Sequence, residues 1–450
     1  MRFCISNGRL VNPATGFDGL ADLLVEDGAV VGILHRASVE NQEGAMAKAF
    51  PASGEEQRQW AIAHEMEIID ATGKLVVPGL IDLHVHFREP GFVYKEDIAS
   101  GAMAAARGGF TTVCAMPNTK PPVDSPETAA YVNEKAAAAC GVNVLAVGAI
   151  TKGQAGGELA DFAAMKHAAG GGICALSEDG KSVMDSGLMR EAMERAGELG
   201  LPIFSHTEDM ALAAGGVMNQ GAAAKRLGLP GIPPEAEEII AIRDMLLARN
   251  TGCPLHLCHI STKGSVELIR WAKSQGIQVT AETAPHYYIL TDEDVKNPNF
   301  KMNPPLRGKE DAAAIIAGLC DGTLDAIATD HAPHCGDEKA AAFQQAPFGI
   351  IGLETSFPLS YTYLVETGRM SLLDLVSIMS AKPAGILGIG KGDLSPGKPA
   401  DIAIIDIQEE YQIDPDRFAS KGRNTPFGGM KVKGRVCRTI VGGKTVFQQD

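Results

Sequence analysis

Short apolar runs of strand length alternate with helix-length segments through the middle of this chain, and the alternation repeats eight times. The runs cover residues 80–86, 110–116, 142–149, 172–176, 201–206, 254–259, 277–282 and 324–329. Helical segments lie between them, at 94–107, 127–139, 186–198, 235–249 and 265–274. Strands recurring roughly every 25 to 50 residues with helices between them predict a parallel sheet, because parallel neighbours need a crossover connection. Eight such units predict an α/β fold of the closed kind, a (β/α)8 TIM barrel, whose chemistry gathers at the C-terminal ends of its strands. A doubly wound open sheet is the alternative. It requires a glycine-rich phosphate loop after the first strand, and here that strand runs into His84, His86 and Arg88.

The two ends read differently. Strand-like runs occupy 3–5, 21–25, 30–34 and 67–70, and return at 400–406, 432–436 and 439–446. Neither end is long enough to bury a core alone. Residues 1–77 and 387–450 are therefore expected to form one composite β-sandwich domain, joined to a barrel over 78–386. Residues 36–66, polar and alanine-rich, read as a surface insertion with a short helix near 55–66.

The chain's formal net charge of −15, with no lysine- or arginine-rich run, excludes a nucleic-acid binder built on basic patches. No apolar stretch reaches the ~18 residues of a membrane span. The opening Met1-Arg2-Phe3-Cys4-Ile5 reads as a strand and not as a signal peptide. The nine cysteines are scattered, several inside apolar runs (Cys114, Cys174, Cys258), as expected of reduced thiols in a cytoplasmic protein.

The strand ends carry the chemistry. Strand 1 finishes Leu83-His84-Val85-His86, and residues two apart on a strand share a face. Strand 4 leads into Ser177-Glu178-Asp179-Gly180, strand 5 ends at His206, strand 6 at His259, and strand 8 runs into Asp330-His331-Ala332-Pro333-His334. A lone histidine at a strand end is ordinarily a hydrogen-bonded core residue. Four histidines and two carboxylates converging on one barrel mouth instead suit a pair of divalent ions, zinc above all. His35, His64 and His167 lie in peripheral segments and are expected to face solvent. His256, three before His259, should point to the opposite side of strand 6 and pack or hydrogen-bond there. His286 could sit behind the ligands, and His331 should orient a neighbour.

At this point the motifs resemble those of the dihydroorotases, the bacterial type I branch of the amidohydrolase superfamily of cyclic amidohydrolases. The residues are Asp82-Leu83-His84-Val85-His86-Phe87-Arg88-Glu89-Pro90-Gly91, Ala115-Met116-Pro117-Asn118-Thr119, Phe300-Lys301-Met302-Asn303-Pro304-Pro305-Leu306-Arg307 and Ala328-Thr329-Asp330-His331-Ala332-Pro333-His334. The resemblance covers the chain apart from the 36–66 insertion. It implies two zinc ions, with His84, His86 and Asp330 as ligands of one and His206 and His259 as ligands of the other. Many relatives bridge the metals with a carboxylated lysine. This chain has no lysine between Gly170 and Gly180, and Asp179 matches the aspartate that type I enzymes use instead. Glu178 and the Ser205-His206-Thr207-Glu208 stretch depart from the commoner residues without touching a ligand.

The implied activity is the reversible hydrolysis of L-dihydroorotate to N-carbamoyl-L-aspartate in pyrimidine biosynthesis. Hydroxide held between the metals is the implied nucleophile and Asp330 the acid/base. Arg88, Asn118, His334 and, more weakly, Asn303 match the family's substrate contacts, with Arg88 on the substrate carboxylate. The loop from His334 to Ile351 could close over the site. The rivals are another cyclic-amide hydrolase, such as a hydantoinase or allantoinase, and an inactive homologue acting as a scaffold for aspartate transcarbamoylase. The expected partner is the small-molecule substrate, with a homodimer and an aspartate transcarbamoylase complex left open.

Overall fold

The computed structural model describes residues 2–35 and 66–449. The expected insertion and its helix near 55–66 lie outside the described residues, apart from Met66, which is buried and outside any helix. Numbered along the chain, β1 (Arg2–Asn12), β2 (Phe17–Glu26), β3 (Ala29–His35), β4 (Glu67–Asp70) and β5 (Lys74–Pro78) come first. They share one mixed sheet with three strands from the other end of the chain, β16 (Ile402–Gln412), β17 (Lys431–Val441) and β18 (Lys444–Gln448). The seam between the two ends is the antiparallel pair β5–β16, in which Ile402 faces Pro78 and Asp406 faces Lys74.

Side-chain alternation gives this sheet two working faces. Leu75, Val77, Ala403 and Ile405 point into the core shared with the barrel helices. Val76, Ile402 and Ile404 point the other way, into a second core with Phe3, Ile5, Leu23 and Val25. The expected strand over 439–446 is interrupted: β17 ends at Val441 and β18 begins at Lys444. Gly442 and Gly443, with φ of 52° and 76°, supply the two left-handed residues that a tight hairpin needs.

The barrel follows from β6 (Leu80–Val85), β7 (Phe110–Ala115), β8 (Asn143–Ala149), β9 (Ile173–Ser177) and β10 (Ile203–Ser205). After a small ribbon of β11 (Met218–Asn219) and β12 (Gly231–Ile232), it continues through β13 (Leu255–Leu257), β14 (Val279–Thr283) and β15 (Ala326–Ile327). The eight strands lie side by side in chain order, all parallel. Ile81, Leu83, Cys114, Val147, Phe204 and Cys258 fill the interior. Leu80, Val85, Val113 and Leu257 face the surrounding helices.

Those helices start where the sequence provides caps. Asp97, Ser125, Asp185 and Thr262 each accept a backbone N–H at the head of Ile98–Arg107, Pro126–Ala137, Ser186–Glu198 and Lys263–Ser274. The barrel closes at its polar end. Val85 bridges His331, the His86 N–H donates to the His331 carbonyl at 2.8 Å, and the Thr329 hydroxyl donates to Asp82 at 2.6 Å. Among the described residues, no helix is long and apolar enough to cross a membrane.

Candidate metal centre and active site

Three of the candidate site residues leave their strands through backbone conformations that only glycine adopts freely. Arg88, His259 and Asp330 have φ of 61°, 38° and 47°. Such strain persists where surrounding structure holds it and clusters at functional sites. Here it turns each side chain over the barrel mouth. His84 and His86 face the same way, with ring centroids 5.2 Å apart, while Val85 between them packs outward.

All six candidate ligands meet there. Asp179 Oδ1 lies 3.1 Å from His84 Nε2, 3.4 Å from His206 Nδ1 and 3.5 Å from His259 Nε2. Asp330 Oδ1 lies 2.9 Å from His86 Nε2 and 3.7 Å from His84 Nε2. Asp179 Oδ2 is 3.5 Å from His86 Nε2, so this carboxylate reaches both groups. Three metal-sized clusters share His84 among the described residues: His84–His86–Asp330 and His84–Asp179–His259 at the mouth, and His84–Cys258–Glu282.

Burial makes the charges interact strongly. Burial alone would raise Asp330, but the hydrogen bond from His86 and the His84 and His259 rings hold it down to about 2. Asp179, buried likewise, is held well below the carboxylate range by His84, His206 and His259. Against its own desolvation, His206 is lifted to about 10 by Asp179 and Glu208. His259 is pushed down, by burial first, against the pull of Asp179. The centre is thus a knot of anionic oxygens and crowded imidazoles. His84 Nε2 and Asp179 Oδ1, 3.1 Å apart, are buried there with no well-aligned hydrogen-bond partner. An orphaned imidazole nitrogen and a carboxylate oxygen side by side are what divalent zinc takes, and the donor set fits two ions.

A cavity of ≈ 160 Å³ opens above this centre, lined by His86, Arg88, Asn118, Asp179, Asn303 and Asp330, with Phe348 and Gly349 on the opposite wall. The Arg88 guanidinium touches the Pro333 carbonyl at 3.3 Å and His334 Nε2 at 3.2 Å. No carboxylate lies within ion-pair distance of it among the described residues. Asn118 is committed on both sides, to His86 Nδ1 at 2.9 Å and to Asp179 at 3.2 Å. Asn303 donates to both oxygens of Glu208 and leaves its own buried Oδ1 without a partner.

His334 does not line the cavity; it stands behind Arg88. Its Nδ1 faces Lys95 Nζ at 3.3 Å and its Nε2 faces the Phe348 carbonyl at 2.8 Å. Burial and the cations Arg88, Lys95 and Lys339 push its pKa down to about 2, so it is neutral. The 334–351 loop is packed down onto the site. Lys339 Nζ donates to the carbonyls of Lys301, Pro347 and Gly349. Gly349, at φ 129°, has no room for a Cβ, which would meet Ala332 Cβ at 2.7 Å and His334 Nε2 at 3.1 Å.

Two expectations for the remaining histidines, those for His256 and His35, need correcting. His256 does not turn to the far side of strand 6. It lies inside the barrel against Phe204, because the left-handed turn at His259 breaks the alternation. His35 is half-buried against the Phe17 ring, 4.4 Å away, and His167 is exposed. His64 lies outside the described residues. His286 is buried beside Tyr287 and burial pushes it down to about 4. His331 is held between Glu96 and Ser420, each 3.5 Å from its Nε2.

Sequence reasoning passed over Glu208, Glu282 and Asp82. Glu208 lies 3.4 Å from His206 Nε2. Glu282, at the end of β14, is buried between His84 and His256, and these neighbours hold it down to about 2 against its desolvation. Burial pushes Asp82 up to about 7. An acid inside an apolar strand with no basic residue nearby in sequence was the available signal for Glu282.

A parallel barrel gathering four histidines and two aspartates at its C-terminal mouth, with metal-sized sets that share His84, defines a metal-dependent amidohydrolase. Residues 73–265 match the family model described as dihydro-orotase-like. The chain is 46% identical over 452 residues to a dihydroorotase of Bacillus cytotoxicus, covering 100% of this chain and 99% of that one. It is 48% identical over 450 residues to one of Citrifermentans bemidjiense, with 100% of both covered. Among solved structures, an L-hydantoinase (dihydropyrimidinase) from Arthrobacter aurescens matches with a TM-score of 0.83 at 28% identity, over 100% of this chain and 96% of that one. The chain belongs to the dihydroorotase family.

Proposed function

We propose that this protein hydrolyses the ring amide of L-dihydroorotate to N-carbamoyl-L-aspartate, and closes it again in pyrimidine biosynthesis. The observation that carries this reading is the Arg88 guanidinium, without a carboxylate partner among the described residues, on the wall of a cavity floored by His86, Asp179 and Asp330. A cyclic amide bearing a carboxylate satisfies both features at once. Hydantoin and dihydrouracil lack that carboxylate. The absence of any lysine from the end of β9 separates the chain further from the lysine-bridged hydantoinase pattern.

His84, His86 and Asp330 would hold one zinc, and His206 and His259 the other, with the Asp179 carboxylate between them. Bound there, the ions supply a water of lowered pKa and polarise the amide carbonyl. The chain's own residues do the rest. Asp330, anionic and 2.9 Å from His86, accepts the proton of the attacking water and delivers it to the departing ring nitrogen. Arg88 grips the substrate carboxylate through two N–H groups, with His334 fixing its position. The free Oδ1 of Asn303 accepts a ring N–H, and Asn118 holds His86 and Asp179 while facing the substrate. No disulfide joins the cysteines among the described residues, which supports a reducing, cytoplasmic setting.

The test is direct. Zinc-loaded protein should convert L-dihydroorotate to N-carbamoyl-L-aspartate and leave dihydrouracil and hydantoin nearly untouched. Turnover of the uncharged rings without turnover of dihydroorotate would overturn the reading. Metal analysis after dialysis should give close to two zinc per chain, and Asp179→Ala should lower that occupancy. A fully active preparation holding one ion or fewer would remove the two-ion arrangement.

A further inference from the structure

Beneath the candidate metal centre, inside the barrel, lies a carboxylate for which the proposed reaction has no use. Glu282 is completely buried on β14. Its Oε1 is 3.3 Å from His84 Nδ1 and its Oε2 is 3.1 Å from His256 Nε2. His256 in turn meets the Thr280 hydroxyl at 2.8 Å through Nδ1. No lysine or arginine lies within ion-pair distance of Glu282 among the described residues. A buried carboxylate without a cation needs N–H donors; these two ring nitrogens are the ones in ion-pair reach, and as placed neither makes a well-aligned hydrogen bond to it.

That requirement selects a tautomer. If His84 carries its proton on Nδ1, facing Glu282, its Nε2 keeps a lone pair, and Nε2 is the atom 3.1 Å from Asp179 and 3.7 Å from Asp330. His256, protonated on Nε2, satisfies the second carboxylate oxygen, and its Nδ1 accepts from Thr280. We infer that Glu282 is a positioning residue for the metal centre: its carboxylate takes the Nδ1–H of His84, fixes that ring and presents Nε2 to the metals. Carboxylates placed this way raise the basicity of the ligating imidazole and hold its orientation. The site works as a column running from Thr280 through His256, Glu282 and His84 to the barrel mouth. The inference rests on the reading of His84 as a metal ligand.

The experiment is zinc affinity, measured by competition with a chelator, on Glu282→Gln and Glu282→Asp, beside the melting of the zinc-free proteins. Glutamine keeps the volume but is a poorer acceptor and brings an N–H toward one of the rings. Aspartate keeps the charge but is one methylene too short to span both. Both variants are expected to bind zinc about 10- to 100-fold more weakly than the parent. Zinc-free Glu282→Gln should melt no lower than the zinc-free parent, which separates positioning from simple structural support. His256→Gln, which leaves Glu282 in place, should lose less affinity than either.

Parent-like zinc affinity in Glu282→Gln would overturn the inference while leaving the two-ion centre intact. A parent chain that holds no zinc would overturn both together. Three zinc per parent chain, one of them lost in Cys258→Ser, would also overturn it. That result would mean that an ion, not a proton, joins His84, Cys258 and Glu282.

Discussion

Asp330→Asn is expected to keep at least one zinc and to lose turnover of both L-dihydroorotate and N-carbamoyl-L-aspartate by about 100- to 10,000-fold. Asparagine retains an oxygen that can ligate, but it cannot accept a proton at neutral pH. The two directions should fall together, since one microscopic route serves both. The geometry gives the substitution its selectivity. Asp330 Oδ1 sits 2.9 Å from His86 Nε2, and the backbone that carries it is held by the His331–His86 bond across the barrel seam. The asparagine oxygen should therefore occupy the same place. In the parent enzyme, hydrolysis should require one group to be deprotonated as pH rises. Asp330, held near 2 by its histidine neighbours, is already anionic well below neutrality. The limb therefore belongs to the coupled centre and not to one residue. Metal content measured beside turnover in both directions is the check. A metal-loaded Asp330→Asn protein with near-parental rates would rule Asp330 out as the proton carrier.

Arg88→Met should lower kcat/KM for dihydroorotate about 100-fold or more, with zinc content unchanged. Arg88 has no carboxylate partner among the described residues, so its removal breaks no ion pair that the fold depends on. Its contacts are the Pro333 carbonyl and His334, 3.3 Å and 3.2 Å away. Methionine keeps much of the aliphatic length and loses the fork that a carboxylate grips. His334→Ala should produce a smaller loss of the same kind, because it leaves the guanidinium present but unsupported. Steady-state rates on dihydroorotate decide it, and an unchanged kcat/KM for Arg88→Met would take Arg88 out of the substrate site.

Much of this architecture could be read from residue order because each barrel strand is an apolar run ending in a polar residue. The 186–198 helix and the 67–70 strand match residue for residue, since Asp185 caps the first and Ala71 ends the second by turning its N–H to Ser6. The convergence of His84, His86, His206, His259 and Asp330 followed from barrel topology, and the choice of Asp179 over Glu178 from the family resemblance. What stayed hidden depends on distances between strands. Alternation placed His256 on the wrong side of its strand because it could not foresee the left-handed turn at His259. Glu282 looked like one more strand residue, since its partners lie on β6 and β13. The closure of the barrel through His331 is a backbone contact, to which side-chain patterning is blind. His334 matched a substrate-contact motif, and its contact with the Arg88 guanidinium, 3.2 Å away, spans 246 residues of sequence.

The seam between β5 and β16 has a consequence for how this protein is made. Translation delivers β5 early and its antiparallel partner only near the end, after every barrel strand has left the ribosome. Until then β5 has a bare edge beside Leu75, Val76 and Val77, the kind of edge that recruits other strands. Prematurely ended chains keep that edge permanently. They also lack Ser420, whose hydroxyl donates to Glu96 at 2.6 Å beside the imidazole of His331. Incomplete products should therefore be both adhesive and catalytically loose, marked for chaperones and proteases, while only the finished polypeptide seals its own surface.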